Sequence, residues 1–123
     1  MIRHTVAFKL RHPEGSLTER DFLAAACKLR SIPSVKNFEL LRQVSAKNSY
    51  TFGLSMEFTS QSEYLAYATH PDHSKFVSER WIPEVVEFIE IDYEPLDHVA
   101  QTFLSVDAAG AAMDSGGRPD GHL

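Results

Sequence analysis

Residues 2–10 alternate strictly, with Ile2, His4, Val6, Phe8 and Leu10 on one face and Arg3, Thr5, Ala7 and Lys9 on the other. A period of two is that of a half-buried strand. The turn His12-Pro13-Glu14-Gly15 follows, and Ser16 or Thr18 then offers a cap to a helix running toward Arg30. The apolar stripe of that helix is Phe22, Leu23, Ala26, Cys27 and Leu29. Pro33 stops it, because proline lacks the N–H that a helix interior needs and biases the residue before it to extended backbone. A second strand is predicted over about 36–44. After the polar stretch 45–49 a third places Tyr50, Phe52, Leu54, Met56 and Phe58 on one face. Residues 59–62 cap a short helix through Tyr64, Leu65 and Tyr67, and His70-Pro71 opens a further helical segment that reaches Trp81 and ends at Pro83. A last strand, about 86–93, turns Ile89, Ile91 and Tyr93 one way and Glu90, Asp92 and Glu94 the other.

The order is β-α-β-β-α-β with a split second helix, which predicts an α+β, ferredoxin-like domain: a four-stranded antiparallel sheet with its helices on one face. The other face would carry Thr5, Ala7, Glu39, Leu41, Thr51, Gly53, Ser55 and Glu57, a set that suits solvent or a second subunit. The domain is expected to span 1–96. Residues 97–123 read as a flexible, low-complexity tail, with Phe103, Leu104 and Val106 as its apolar anchors and room for a short docked segment near 101–106.

Composition narrows the class. In 123 residues, 17 acidic against 12 basic side chains give a net charge of -5, the wrong sign for binding nucleic acid or an anionic membrane surface. The single cysteine, Cys27, cannot form an internal disulfide, and no apolar run approaches bilayer-spanning length. With no secretory signal at the start, a cytoplasmic protein is expected.

Candidate chemistry is concentrated in histidines. His4 lies on the apolar face of strand one, where an imidazole needs a partner such as a backbone carbonyl or a tyrosine. In Tyr67-Ala68-Thr69-His70-Pro71-Asp72-His73, Pro71 sets a helix start and places His73 in the first turn, where the helix dipole disfavours imidazolium. A neutral imidazole can act as general base beside the Tyr67 hydroxyl; alternatively His70 caps the helix, His73 is a surface residue and Tyr67 fills space. A metal on His70 and His73 with Asp72 or His4 is not expected, because no third ligand has recognisable spacing. Cys27 reads as a small hydrophobe, and no glycine-rich loop joins a strand to a helix, so neither a cysteine nucleophile nor a nucleotide cofactor is expected. Glu84, Glu87, Glu90, Asp92 and Glu94 read as a solvated acidic face, and His12, His98 and His122 as solvated turn or tail residues.

The opening residues 1–10, the Ile32-Pro33-Ser34-Val35 break, and residues 67–73 followed by Phe76 together resemble the stress-responsive A/B barrel (Dabb) domain family, over about 1–96. The resemblance implies a homodimer that pairs open sheet faces into an α+β barrel, with a pocket between sheet and helices. A plant polyketide cyclase of that family uses a strand-one histidine, a tyrosine and the last histidine of a His-Pro-x-His segment, which correspond here to His4, Tyr67 and His73. By that likeness His73 would take an acidic proton of a poly-β-ketone, Tyr67 would orient base or substrate, and His4 would hydrogen-bond a carbonyl, without a cofactor. Three functions follow. The first is a stress-associated dimer that binds a small apolar or phenolic molecule, with Phe8, Phe52, Met56 and His70 as further pocket groups. The others are a cofactor-independent cyclase or lyase and a monooxygenase-like barrel enzyme.

Overall fold

A computed structural model of the chain describes residues 1–106. Its elements are β1 (Ile2–Leu10), α1 (Leu17–Cys27), β2 (Lys36–Arg42), β3 (Phe52–Phe58), α2 (Gln61–Ala68), α3 (Pro71–Phe76), α4 (Ile82–Glu84), β4 (Val85–Tyr93) and α5 (Asp97–Val106). A 3₁₀ turn, Lys28–Ser31, extends α1, and a π turn, Val77–Trp81, joins α3 to α4. The four strands form one antiparallel sheet in the order β2-β3-β1-β4, so β1 is hydrogen-bonded on both sides.

Local chemistry places the helices. Ser16 caps α1 by accepting from the Glu19 N–H, and the Glu19 carboxylate reaches back to the Gly15 N–H at 3.0 Å, a reciprocal cap that buries the glutamate. Gly15 supplies the positive φ of 79° that the turn needs. Ser60 caps α2, and His70 caps α3 with Pro71 behind it. The inward residues of β1 and β3 pack against these helices in one core, whose largest fully buried side chains are Phe8, Phe22, Ile32, Met56 and Phe58.

Boundaries differ at several places, and β3 begins at Phe52, which leaves Tyr50 outside the strand. Strand β2 stops at Arg42 and not near 44, because its ladder to β3 ends with the pair Arg42–Phe52, and Val44 is exposed. Pro83 does not end the helical segment but sits inside α4, near a helix start, where no N–H is required of it. The first ten residues of the expected tail, Asp97–Val106, are helical; residues 107–123 lie outside the described residues. Among the described residues no helix is long and apolar enough to cross a membrane.

Candidate functional site

His4 enters from the helix-facing side of β1 and is 5% exposed. Its Nδ1 lies 2.6 Å from Asp92 Oδ1 and 2.8 Å from Tyr64 Oη, and the Tyr64 hydroxyl donates to Asp92 Oδ2 at 2.8 Å. The register explains the first contact, since His4 and Asp92 are direct partners in the β1–β4 ladder. Tyr64 arrives from α2, its ring stacked on Phe58 at 4.8 Å. Burial, followed by the bond to Asp92, pushes the Tyr64 phenol well above its ordinary pKa, so it stays protonated and donates. The buried imidazole is thus satisfied by a tyrosine, as its position suggests, and also by a carboxylate.

Between the sheet and the split helix lies a cavity of about 520 Å³. Its apolar wall includes Leu29, Phe76, Val77, Trp81, Val85 and Phe88, and its polar groups are Tyr67, His73 and Glu90. The π turn brings Val77 and Trp81 onto the same wall, a local widening of the helix of the kind often found at functional sites. Tyr67 is buried, with its ring 4.4 Å from that of His73 and 6.2 Å from that of His4. His73 Nδ1 lies 3.1 Å from the Ala68 carbonyl. A carbonyl only accepts, so Nδ1 carries the hydrogen and the neutral ring keeps its lone pair on Nε2.

Charge supports that state. Burial is the largest influence on His73 and pulls its pKa below the ordinary 6.5, with His4 adding to the effect and the Ala68 carbonyl and Glu90 opposing it. The Tyr67 phenol is pushed well above 10.0 by burial and then by Glu90, so it too remains a donor. A neutral acceptor and a neutral donor therefore stand side by side on the wall of an apolar cavity.

Tyr67 and His73 come together there, with His4 behind Tyr67 and outside the lining. His70 does not join them, because its Nδ1 accepts from the Asp72 N–H at 3.1 Å and caps α3. Phe8, Phe52 and Met56 are buried core side chains and form no part of this lining. Of the acidic run, Glu87, Glu90, Asp92 and Glu94 are exposed, as expected of a solvated face, and Glu84 is half-buried; three of the five also have defined neighbours. Glu90 and Asp92 stand opposite Val6 and His4 on the helix side, and Glu84 pairs with Arg80 and with His12 at 2.6 Å. His12 is accordingly half-buried and not a solvated turn residue. Sequence reasoning missed Tyr64, Glu90 and Asp92 as site groups; counting by twos along β4 from the partner of His4 finds the two carboxylates. Among the described residues no three His, Cys, Asp or Glu side chains group to hold a metal ion.

The family described as Stress Responsive A/B Barrel Domain (Dabb) matches residues 2–95. A Dabb family protein with a ferredoxin-like fold from Mesorhizobium loti is 55% identical, with 77% of this chain and 96% of that one covered and a TM-score of 0.76. A dimeric ferredoxin-like protein of unknown function from Thermobifida fusca is 22% identical, covering 76% and 90%, with a TM-score of 0.65. A hydroxynitrile lyase from Passiflora edulis is 19% identical, covering 75% and 90%, with a TM-score of 0.64. These last two show likeness of fold alone. No curated protein matches the chain.

Proposed function

Since the chain belongs to the stress responsive A/B barrel domain family, we propose that it acts as a homodimer that binds a small, largely apolar or phenolic molecule in the cavity between its sheet and helices. The cavity carries this reading: about 520 Å³, walled by aromatic and aliphatic side chains, with Tyr67, His73 and Glu90 as its few polar groups. That is the size and chemistry of a small-molecule site. A ligand ring lies against Trp81 and Phe88, a ligand hydroxyl donates to His73 Nε2, and a ligand carbonyl accepts from Tyr67. The dimeric Thermobifida fusca structure supports the pairing, as do the exposed apolar side chains Leu41, Ile89, Ile91 and Tyr93 on the face away from the helices.

Trp81 is the only tryptophan, so its emission reports occupancy of the cavity it lines. Titration with para-ethylphenol is expected to change that emission saturably. The substitution Val77→Phe, which puts a ring into the cavity, should weaken binding at least about tenfold, with little change in thermal stability. A linear response, or a Val77→Phe variant that binds like the parent, would sink the reading.

A second reading, cofactor-independent proton-transfer chemistry at the same site, is favoured by the neutral His73 beside a phenol that stays protonated. His73 Nε2 takes a proton from between two carbonyls, and Tyr67 donates to the oxygen on which the enolate charge gathers. The enolate carbon attacks a second carbonyl of the same chain, and the imidazolium returns its proton to the new alkoxide. His4, held by Asp92 and Tyr64, then supports Tyr67 and does not itself contact the carbonyl. Deprotonation needs the unprotonated ring, so turnover of a linear β-polyketone should rise with pH through a midpoint below 6.5. His73→Ala should remove it while ligand still perturbs Trp81. A rate that survives in His73→Ala eliminates this histidine as the base.

A further inference from the structure

We infer that the molecule taken by this cavity is a small organic ammonium, its cationic nitrogen held between the aromatic wall and the Glu90 carboxylate. This rests on the cavity-binding reading above and adds the chemical class of the ligand.

Glu90 is the observation that the proton-transfer chemistry leaves unused. The other carboxylates near the site have partners: Asp92 meets His4 and Tyr64, and Glu84 meets His12 and Arg80. Glu90 makes no ion pair among the described residues, although the register of β4 sets it opposite Val6, on the helix-facing side where the cavity opens. Among the described residues neither lysine nor arginine lines that cavity, and its imidazole, His73, is held neutral by burial. Among the described residues, Glu90 is therefore the one formal charge on the lining. Its field reaches the interior, since it raises the proton affinity of both Tyr67 and His73 across the cavity.

The walls favour the same sign. Trp81 and Phe88 meet edge to face at 5.5 Å and 76°, and Phe76 lies 6.3 Å from Trp81 at 55°. Rings set at such angles turn their electron-rich faces in several directions, and an ammonium group over such a face is attracted by the ring quadrupole, more strongly when desolvated. A neutral phenol can pack its ring on the aromatic wall and spend its one hydroxyl hydrogen on His73, but it brings no positive charge to Glu90 or to the ring faces. A carboxylate ligand is repelled by Glu90 and finds no cation on the lining. Only an ammonium on an apolar body uses the carboxylate, the ring faces and the apolar volume together.

Three ligands sharing one phenol body separate these cases: para-ethylphenol (neutral), tyramine (ammonium) and para-hydroxyphenylpropionate (carboxylate), each titrated into the full chain at pH 7 with Trp81 emission as readout. Tyramine is expected to bind about tenfold more tightly than ethylphenol, the size of a partly desolvated cation contact, with the carboxylate weakest. Glu90→Gln should bring the tyramine-to-ethylphenol ratio to within about twofold of one, whereas Glu90→Asp, which keeps the charge, should retain most of it. Ethylphenol binding as tightly as tyramine in the parent, or a preference that survives Glu90→Gln, overturns the ammonium assignment and leaves the cavity standing as a ligand site. Absence of saturable binding by all three overturns both.

Discussion

Replacing Phe8 by alanine is expected to destabilise the fold by about 4 kcal/mol, from the cost of truncating a buried aromatic side chain. The ring is 0% exposed, with centroids 5.9 Å from Phe22, 5.7 Å from Phe52 and 5.1 Å from Trp81. Its strand, β1, is hydrogen-bonded to β3 on one side and β4 on the other, so the backbone cannot move in to fill the space. Deleting the ring therefore loses its transfer free energy and leaves most of a cavity. Against a total stability of order 5–15 kcal/mol, that is a large fraction. Urea denaturation should show the midpoint falling with an unchanged slope, and a loss below about 1 kcal/mol would mean that Phe8 is not an anchor of the core. Because Trp81 rests on Phe8, the variant should also bind ligand more weakly, as a consequence of packing and without any contact between Phe8 and the ligand.

Phe8 also shows where the sequence stops being informative. Alternation along residues 2–10 says that Phe8 faces the helices, and the structure agrees. It does not say whether that face ends on helix side chains or on open space, which depends on where α1 and the split helix land. Phe8, Phe52 and Met56 therefore read as pocket groups and turn out to be core. Local signals fared better. Strands β1 and β3, the caps at Ser16 and Ser60, and the Pro71 helix start all rest on chemistry within a few residues, and the structure places each where that chemistry does. Tyr67 and His73 were legible for the same reason, lying on either side of a break marked by His70-Pro71.

Strand β4 was legible as a strand but not as a face. Its apolar set, Ile89, Ile91 and Tyr93, looks like a core stripe, and a shift of one residue in pairing exchanges the two sides. Only the long-range register to β1 reveals that Glu90 and Asp92 face the helices. The π turn 77–81 was hidden for a different reason: it is defined by an inserted residue in the hydrogen-bond ladder, which leaves no mark in composition.

The exposed side of β4 gives the second large effect. Ile91→Lys is expected to convert the proposed homodimer to a monomer, raising its dissociation constant by about 100-fold or more. Ile91 lies on the sheet face away from the helices, directly opposite Thr5, and is 42% exposed in the single chain; Ile89 and Tyr93 flank it on the same face with 45% and 49%. A contiguous apolar patch of this kind calls for a partner. In a two-fold pair each substitution occurs twice, so the variant would bury two ammonium groups. The nearest charged side chain on that face of β1, Arg3, is itself cationic and already bonded to Glu57 at 3.1 Å, so it offers the new lysine no counter-ion. In the monomer the same lysine extends from an edge strand into water, where it is well tolerated, so the fold should survive. Sedimentation equilibrium at micromolar concentration should then give twice the chain mass for the parent and the chain mass for the variant, with matching circular dichroism. A variant that keeps the dimeric mass would mean that the two copies meet elsewhere and that β4 is covered by something other than its own symmetry mate.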